Sequence, residues 1–163
     1  MSSKYWVANN PNSEITDTKA QKLAELSATT TSLAELNSLD AGDEVQCTVT
    51  PAATSGDNGA TIEFVVQFND GDGVALTEAI GFTYYVSSLS TGLDLDSAVT
   101  TIADGGAGHI VKALTANQSG IAVTDATGTC ELDITEAGAD VIQLVVIKPD
   151  GKLAVSAAVT YAA

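Results

Sequence analysis

From residue 44 onward the apolar residues of the chain recur at every second position, and the last of these runs closes on a recognisable turn. Val141-Ile-Gln-Leu-Val-Val-Ile147 leads into Lys148-Pro-Asp-Gly-Lys152 and then Leu153–Tyr161. Proline presets the first turn dihedral and glycine accepts the last, so the run reads as two strands joined by a hairpin. A period of two places alternate side chains on opposite faces of a sheet, which commits this part of the chain to β structure.

The same pattern extends back along the chain. Val45, Cys47 and Val49 alternate with polar neighbours, and Pro51–Gly59 is a loop. Ile62, Phe64, Val66 and Phe68 form the clearest inward face, with Glu63 and Gln67 outward, and Asn69-Asp-Gly-Asp-Gly73 turns the chain. Phe82, Tyr84 and Val86 mark a further strand, Ile110–Leu114 and Ile121–Thr124 two shorter ones. Thr129–Ile134 carries Cys130, Leu132 and Ile134 inward. About eight strands with turn signals at roughly 8–12-residue intervals fit an antiparallel sandwich. The long connections around 88–108 and 135–140 suit a Greek key better than a meander. The expected fold is therefore mainly β: an Ig-like β-sandwich over residues 43–163, preceded by an N-terminal segment, 1–42.

That segment is different in character. Residues 1–12 read as an extended arm carrying Tyr5 and Trp6 and ending in Asn9-Asn-Pro-Asn12. The two rings either dock on a partner, where aromatic anchors contribute much of the binding energy, or fold back on their own domain. Residues 14–40 are helical in pattern: Thr16 or Asp17 caps a stretch with Leu23 and Leu26, and Ser32-Leu-Ala-Glu35 is a capping box opening a turn or two with Leu33, Leu36 and Leu39. Helices this short are not stable alone in water, so their leucines are expected to pack on another surface.

Composition narrows the function classes. Of 163 residues, 21 are acidic and 6 are lysine or arginine, for a net charge of −15. That field repels nucleic acid and anionic membranes; it favours solubility and suits a basic partner surface. No window has the eighteen or so consecutive apolar residues of a membrane span. The opening residues lack the apolar stretch of a secretory signal, so export by that route is not expected. Cys47 and Cys130 sit mid-strand and read as two buried thiols of a protein made in a reducing cytosol, a sheet-bridging disulfide being the alternative.

Candidate chemistry is sparse. Asn69–Gly73 invites a calcium reading, but a helix-loop-helix loop needs an oxygen ligand and a bidentate acid where the chain has Val74 and Gly81, so a solvated turn is expected. Asp94 and Asp96 are read in the same way. His109, the sole histidine, follows Gly105-Gly-Ala-Gly108 at a strand start, with no Gly-x-Ser-x-Gly elbow and no phosphate-loop lysine. No catalytic role, metal or cofactor is expected.

Two stretches resemble known proteins. Ser32-Leu-Ala-Glu-Leu-Asn-Ser-Leu-Asp40 is similar to an element recurrent in structural proteins of tailed phages, with Ser32-Leu33 replacing the usual Thr-Ala or Ala-Ala. Tyr85–Ser90, Val123–Ile134 and Leu144–Ser156, within Phe82–Ser156, resemble a β domain of phage virion proteins. The resemblance implies a capsid decoration or head fibre protein on the capsid exterior, made in the host cytoplasm and bound to the major capsid protein as a homo-oligomer, commonly a trimer. On that reading Tyr5, Trp6, Leu23, Leu26, Leu33, Leu36 and Leu39 make the capsid or oligomer contacts. The alternative is an adhesin or glycan-binding module of a phage fibre, for which Tyr84 and Tyr85, pointing to opposite faces, offer one exposed ring; an enzyme accessory domain is a weaker third.

Overall fold

The structure is a computed structural model and describes residues 45–96 and 98–163. Eleven strands run in chain order: β1 Gln46–Pro51, β2 Ser55–Gly56, β3 Thr61–Asn69, β4 Gly81–Ser87, β5 Thr101–Asp104, β6 His109–Thr115, β7 Ser119–Val123, β8 Thr129–Thr135, β9 Asp140–Ile147, β10 Leu153–Val155 and β11 Val159–Tyr161. No helix is present among the described residues, and the expected helices of residues 14–40 lie outside them.

The strands form two sheets, one ordered β1-β3-β8-β5 and the other β2-β11-β9-β4-β7-β6 with β10 also on β9. The chain is thus the expected mainly-β sandwich, and it crosses between sheets at each of the long connections. Alternation decides which side chains face inward. Ile62, Phe64, Val66 and Phe68 of β3 and Cys130, Leu132 and Ile134 of β8 are buried, opposite Phe82, Tyr84 and Val86 of β4 and Ile142, Leu144 and Val146 of β9. The Phe68 and Phe82 rings meet between the sheets at 5.4 Å, tilted 48°, a favourable aromatic geometry. Tyr161 donates its hydroxyl to the Ile134 carbonyl at 3.1 Å, tying β11 across to β8.

Several details depart from the sequence expectation. β2 lies inside the expected 51–59 loop and pairs in parallel with β11 through Thr160↔Ser55 and Tyr161↔Gly56, so the sandwich is not wholly antiparallel. β5 lies inside the expected 88–108 connection and pairs with β8. β2 has two residues and β5 four, too few for alternation to register against a turn-rich background. The expected strand 153–161 is broken at Ser156, whose N–H bonds the Leu144 carbonyl while its hydroxyl takes the Leu144 N–H, both at 3.0 Å. A side-chain oxygen thus stands in for one rung of the ladder, a local bulge that hydropathy does not encode.

The cysteines do not bridge the sheets. Cys47 of β1 pairs opposite Phe68, Cys130 of β8 opposite Val66, and β3 lies between them in one sheet. Two strand spacings, about 9.6 Å, exceed the roughly 7 Å that a disulfide spans. Both are free thiols, pushed up by burial to about 12 for Cys47 and about 11 for Cys130.

Two measurements check this account. Leu132→Ala is expected to lower stability by about 2–5 kcal/mol in urea unfolding, because it opens a cavity at a fully buried site. In the folded protein both thiols are expected to resist alkylation at slightly alkaline pH and to become reactive in denaturant; rapid native labelling of Cys130 would contradict the packing.

Candidate functional site: a leucine flap over the outer sheet face

The expected contact residues Tyr5, Trp6, Leu23, Leu26, Leu33, Leu36 and Leu39 all lie outside the described residues. What the structure does describe is where the sandwich begins. The Lys148 ammonium, only 9% exposed, donates to the Val45 carbonyl at 2.9 Å and pairs with Asp150 at 3.2 Å. The β9–β10 hairpin turn therefore fastens the first described residue of the chain.

A second feature emerges from the connection between β4 and β5. β9 is buried on both faces: Ile142, Leu144 and Val146 face the core, while Gln143 and Val145 face outward and are still covered. Over Val145 the cover is a flap, residues 87–96, folded onto the outer face of the larger sheet. Gly92 rests on Val145 and Val155, where an added Cβ would lie 3.0 Å from each. The Asp94 carboxylate clasps the flap, accepting hydrogen bonds from the Ser87 and Ser88 hydroxyls and the Leu89 N–H. The Tyr85 hydroxyl donates to the Gly92 carbonyl, and the returning chain is held by Asp96 N–H to Val86 O at 3.0 Å. The Ser87 and Ser88 hydrogen bonds, with that of Leu89, hold the Asp94 carboxyl below its ordinary value of 3.8.

This fixes the fate of two sequence candidates. Of the two tyrosines expected to offer one exposed ring, Tyr84 is buried in the core, and Tyr85 is half-buried, its hydroxyl donating to the flap at Gly92 O. Asp94, read as a turn acid, is the clasp itself. Sequence reasoning missed the flap; its only signal was Leu89, Leu93 and Leu95 interleaved with Asp94 and Asp96, a period-two pattern with no strand to join.

Beside the flap runs a groove of about 450 Å³, lined by Thr83, Tyr85, Leu93, Leu95, Leu114 and Ser119 among others. Leu93 is 79% exposed and Leu114 54%, with Leu89, Leu95 and Val111 also exposed. The adjoining edge strand β6 is irregular: its register with β7 shifts between Ile110 and Lys112 and again between Ala113 and Thr115. Two bulges, the charge of Lys112, and Asp104 taking the Ile110 N–H blunt that edge against pairing with another sheet.

The other candidates are structural. His109 Nδ1 lies 2.6 Å from Asp104 Oδ2 on the surface, and the His109 backbone N–H faces the Cys130 sulfur. The three residues look like a nucleophilic triad in composition but not in geometry: Cys130 is 0% exposed, behind the sheet, and its thiol is raised rather than lowered. The glycine run continues the β5 pairing, Gly105 N–H bonding Glu131 O and Glu131 N–H bonding Ala107 O, each at 2.8 Å. An added Cβ on Gly108 would meet Cys130 at 2.8 Å, so these glycines serve close backbone approach. In the Asn69–Gly73 turn, Asp70 Oδ1 accepts the N–H groups of Asp72 and Val74 at 3.0 and 2.9 Å, as a turn acid does. No cluster of metal-ligating side chains occurs among the described residues.

No family model and no curated protein matches the chain. Among solved structures it is similar to the cohesin module of a Clostridium perfringens family 33 glycoside hydrolase, at 11% identity and a TM-score of 0.41, over 72% of this chain and 96% of that one. Two type I cohesin–dockerin complexes from Clostridium thermocellum match at 9% and 10% identity and TM-scores of 0.39 and 0.38, each over 72% of this chain and over 94% and 99% of theirs. Likeness at this level carries no functional assignment.

The clasp yields a signed prediction. A carboxyl depressed in the folded state adds stability above its unfolded value of 3.8, and that stability is lost as pH falls through the lower folded value. Asp94→Ala is therefore expected to be less stable than the native chain at neutral pH, with the gap closing as pH falls below 3.8. Urea midpoints across that range read the gap; a constant gap would contradict the clasp.

Proposed function

We propose that this chain is a non-catalytic structural protein of a tailed-phage particle, bound to the outside of the capsid as a decoration or head fibre protein. The observation that carries the reading is the pair of resemblances, Ser32–Asp40 and Phe82–Ser156, the second of which spans β4 to β10 of the sandwich. On this reading Tyr5, Trp6 and the leucines at 23, 26, 33, 36 and 39 meet the major capsid protein or a symmetry mate, the trimer being the arrangement the resemblance implies. The sandwich projects outward from that attachment.

Physical features support it. A fully buried leucine contributes roughly 2 kcal/mol, so several per copy, multiplied by symmetry, suffice for stable attachment. A net charge of −15 keeps a protein of many copies soluble. The blunted β6 edge discourages sheet-to-sheet aggregation between neighbours. An adhesin or glycan-binding module is the competing reading; the half-covered Tyr85 and the leucine-lined groove favour protein over sugar as the contact.

Deleting residues 1–40 is expected to abolish binding to purified empty heads and to lower the oligomer mass in light scattering, while the sandwich stays folded. Retention of both properties by the truncated chain would refute the attachment role. Specific binding on a glycan array, with none to heads, would favour the adhesin.

A further inference from the structure

We propose that Asn58–Gly59 is a deamidation site which the folded sandwich holds shut and which local opening of the corner between β2 and β3 unlocks. The chemistry is intrinsic to an asparagine followed by glycine. The Gly59 backbone nitrogen attacks the Asn58 side-chain carbonyl carbon, the new N–C bond forms, and the C–NH2 bond breaks with loss of ammonia, which carries away the Gly59 amide proton. Water then opens the resulting succinimide to aspartate or isoaspartate. Water is the only co-reactant, and no redox step is involved.

Both reactive residues are exposed, and nothing lies within 4 Å of where a Gly59 Cβ would be. Steric shielding therefore does not protect the site. Hydrogen bonding does. Ala60 N–H bonds Asp57 O at 2.9 Å, closing a four-residue turn, with Gly59 at φ +76°, the sign a type II turn requires at its third residue. The attacking nitrogen itself is engaged: Gly59 N–H donates to the Glu136 carbonyl at 2.8 Å. To react, that N–H must leave its acceptor and the turn must change its dihedrals, so the reactive geometry belongs to an open minor state.

The acceptor is held in turn. The Glu136 carboxylate takes the Thr100 N–H at 3.2 Å, and Thr100 Oγ1 takes the Ala137 N–H at 2.9 Å. On either side, Thr61 and Thr135 share a hydroxyl hydrogen bond of 2.6 Å, and Ala162 N–H bonds Gly56 O at 2.9 Å. The latch thus reports the integrity of the corner where β2, β3, β11 and the end of β8 converge. Conversion places a new carboxylate next to Asp57 in the turn, so like-charge repulsion biases the modified corner towards opening. The modification works as a one-way record of opening events.

The test is peptide mapping by mass spectrometry of the full chain held at mildly alkaline pH in native buffer and in urea. Asn58 is expected to convert at least about tenfold more slowly in native buffer, because openings of a hydrogen-bonded segment are minor populations. Equal rates in the two conditions would overturn the proposal, as would an Asn58 that stays intact in urea while a short Asn–Gly reference peptide converts. Glu136→Ala is expected to speed conversion several-fold in native buffer and leave the urea rate unchanged. The variant keeps the Glu136 carbonyl, so an unaltered native rate would show that the carboxylate's bond to Thr100 does not support the latch. The comparison on the unmodified sequence stands whether or not the variant folds.

Discussion

The whole sandwich depends on burying β9 from both sides. Its inner residues Ile142, Leu144 and Val146 join the core with β3 and β8, and on its outer face Val145 is covered by the flap. Apolar burial is non-directional and scales with area removed from water, so a strand covered on one face alone would leave Val145 wet and the flap without a seat. Everything that gives the surface its character follows from that second layer. The flap brings Leu89, Leu93 and Leu95 to the outside, creates the groove against Leu114, and covers the ring that an exposed aromatic platform would need.

Acidic side chains do two separate jobs. Most of the 21 acids set the net charge of −15. A few are structural acceptors: Asp94 clasps the flap, Asp70 and Asp125 close turns, and Asp104 takes the Ile110 N–H beside an edge strand. For Asp94 and Asp125 these hydrogen bonds hold the carboxyl below its ordinary value. Turn-rich connections of this kind keep long crossovers ordered without a helix among the described residues.

Much of the fold was legible because burial imposes a period of two. The inward faces Ile62–Phe68, Phe82–Val86 and Cys130–Ile134 stand in the structure as the alternation requires, and Lys148-Pro-Asp-Gly-Lys152 turns the chain where its residue types say. What was not legible depends on contacts distant in sequence. β2 exists through a parallel partner a hundred residues away, β5 through β8, and the break at Ser156 through a single hydroxyl. The flap was hidden because its leucines lie on no regular element; their exposure depends on Gly92 reaching Val145. The site expected in the first forty residues lies outside the described part, so the attachment reading still stands on its residue types and on resemblance.

The proposed attachment is tested most directly by a reconstruction of an intact phage particle proposed to carry this chain. The account predicts sandwich-sized density standing on the outer capsid surface at local symmetry points, joined to the shell through the N-terminal segment. A bare capsid exterior, or the same density at the tail, would contradict it.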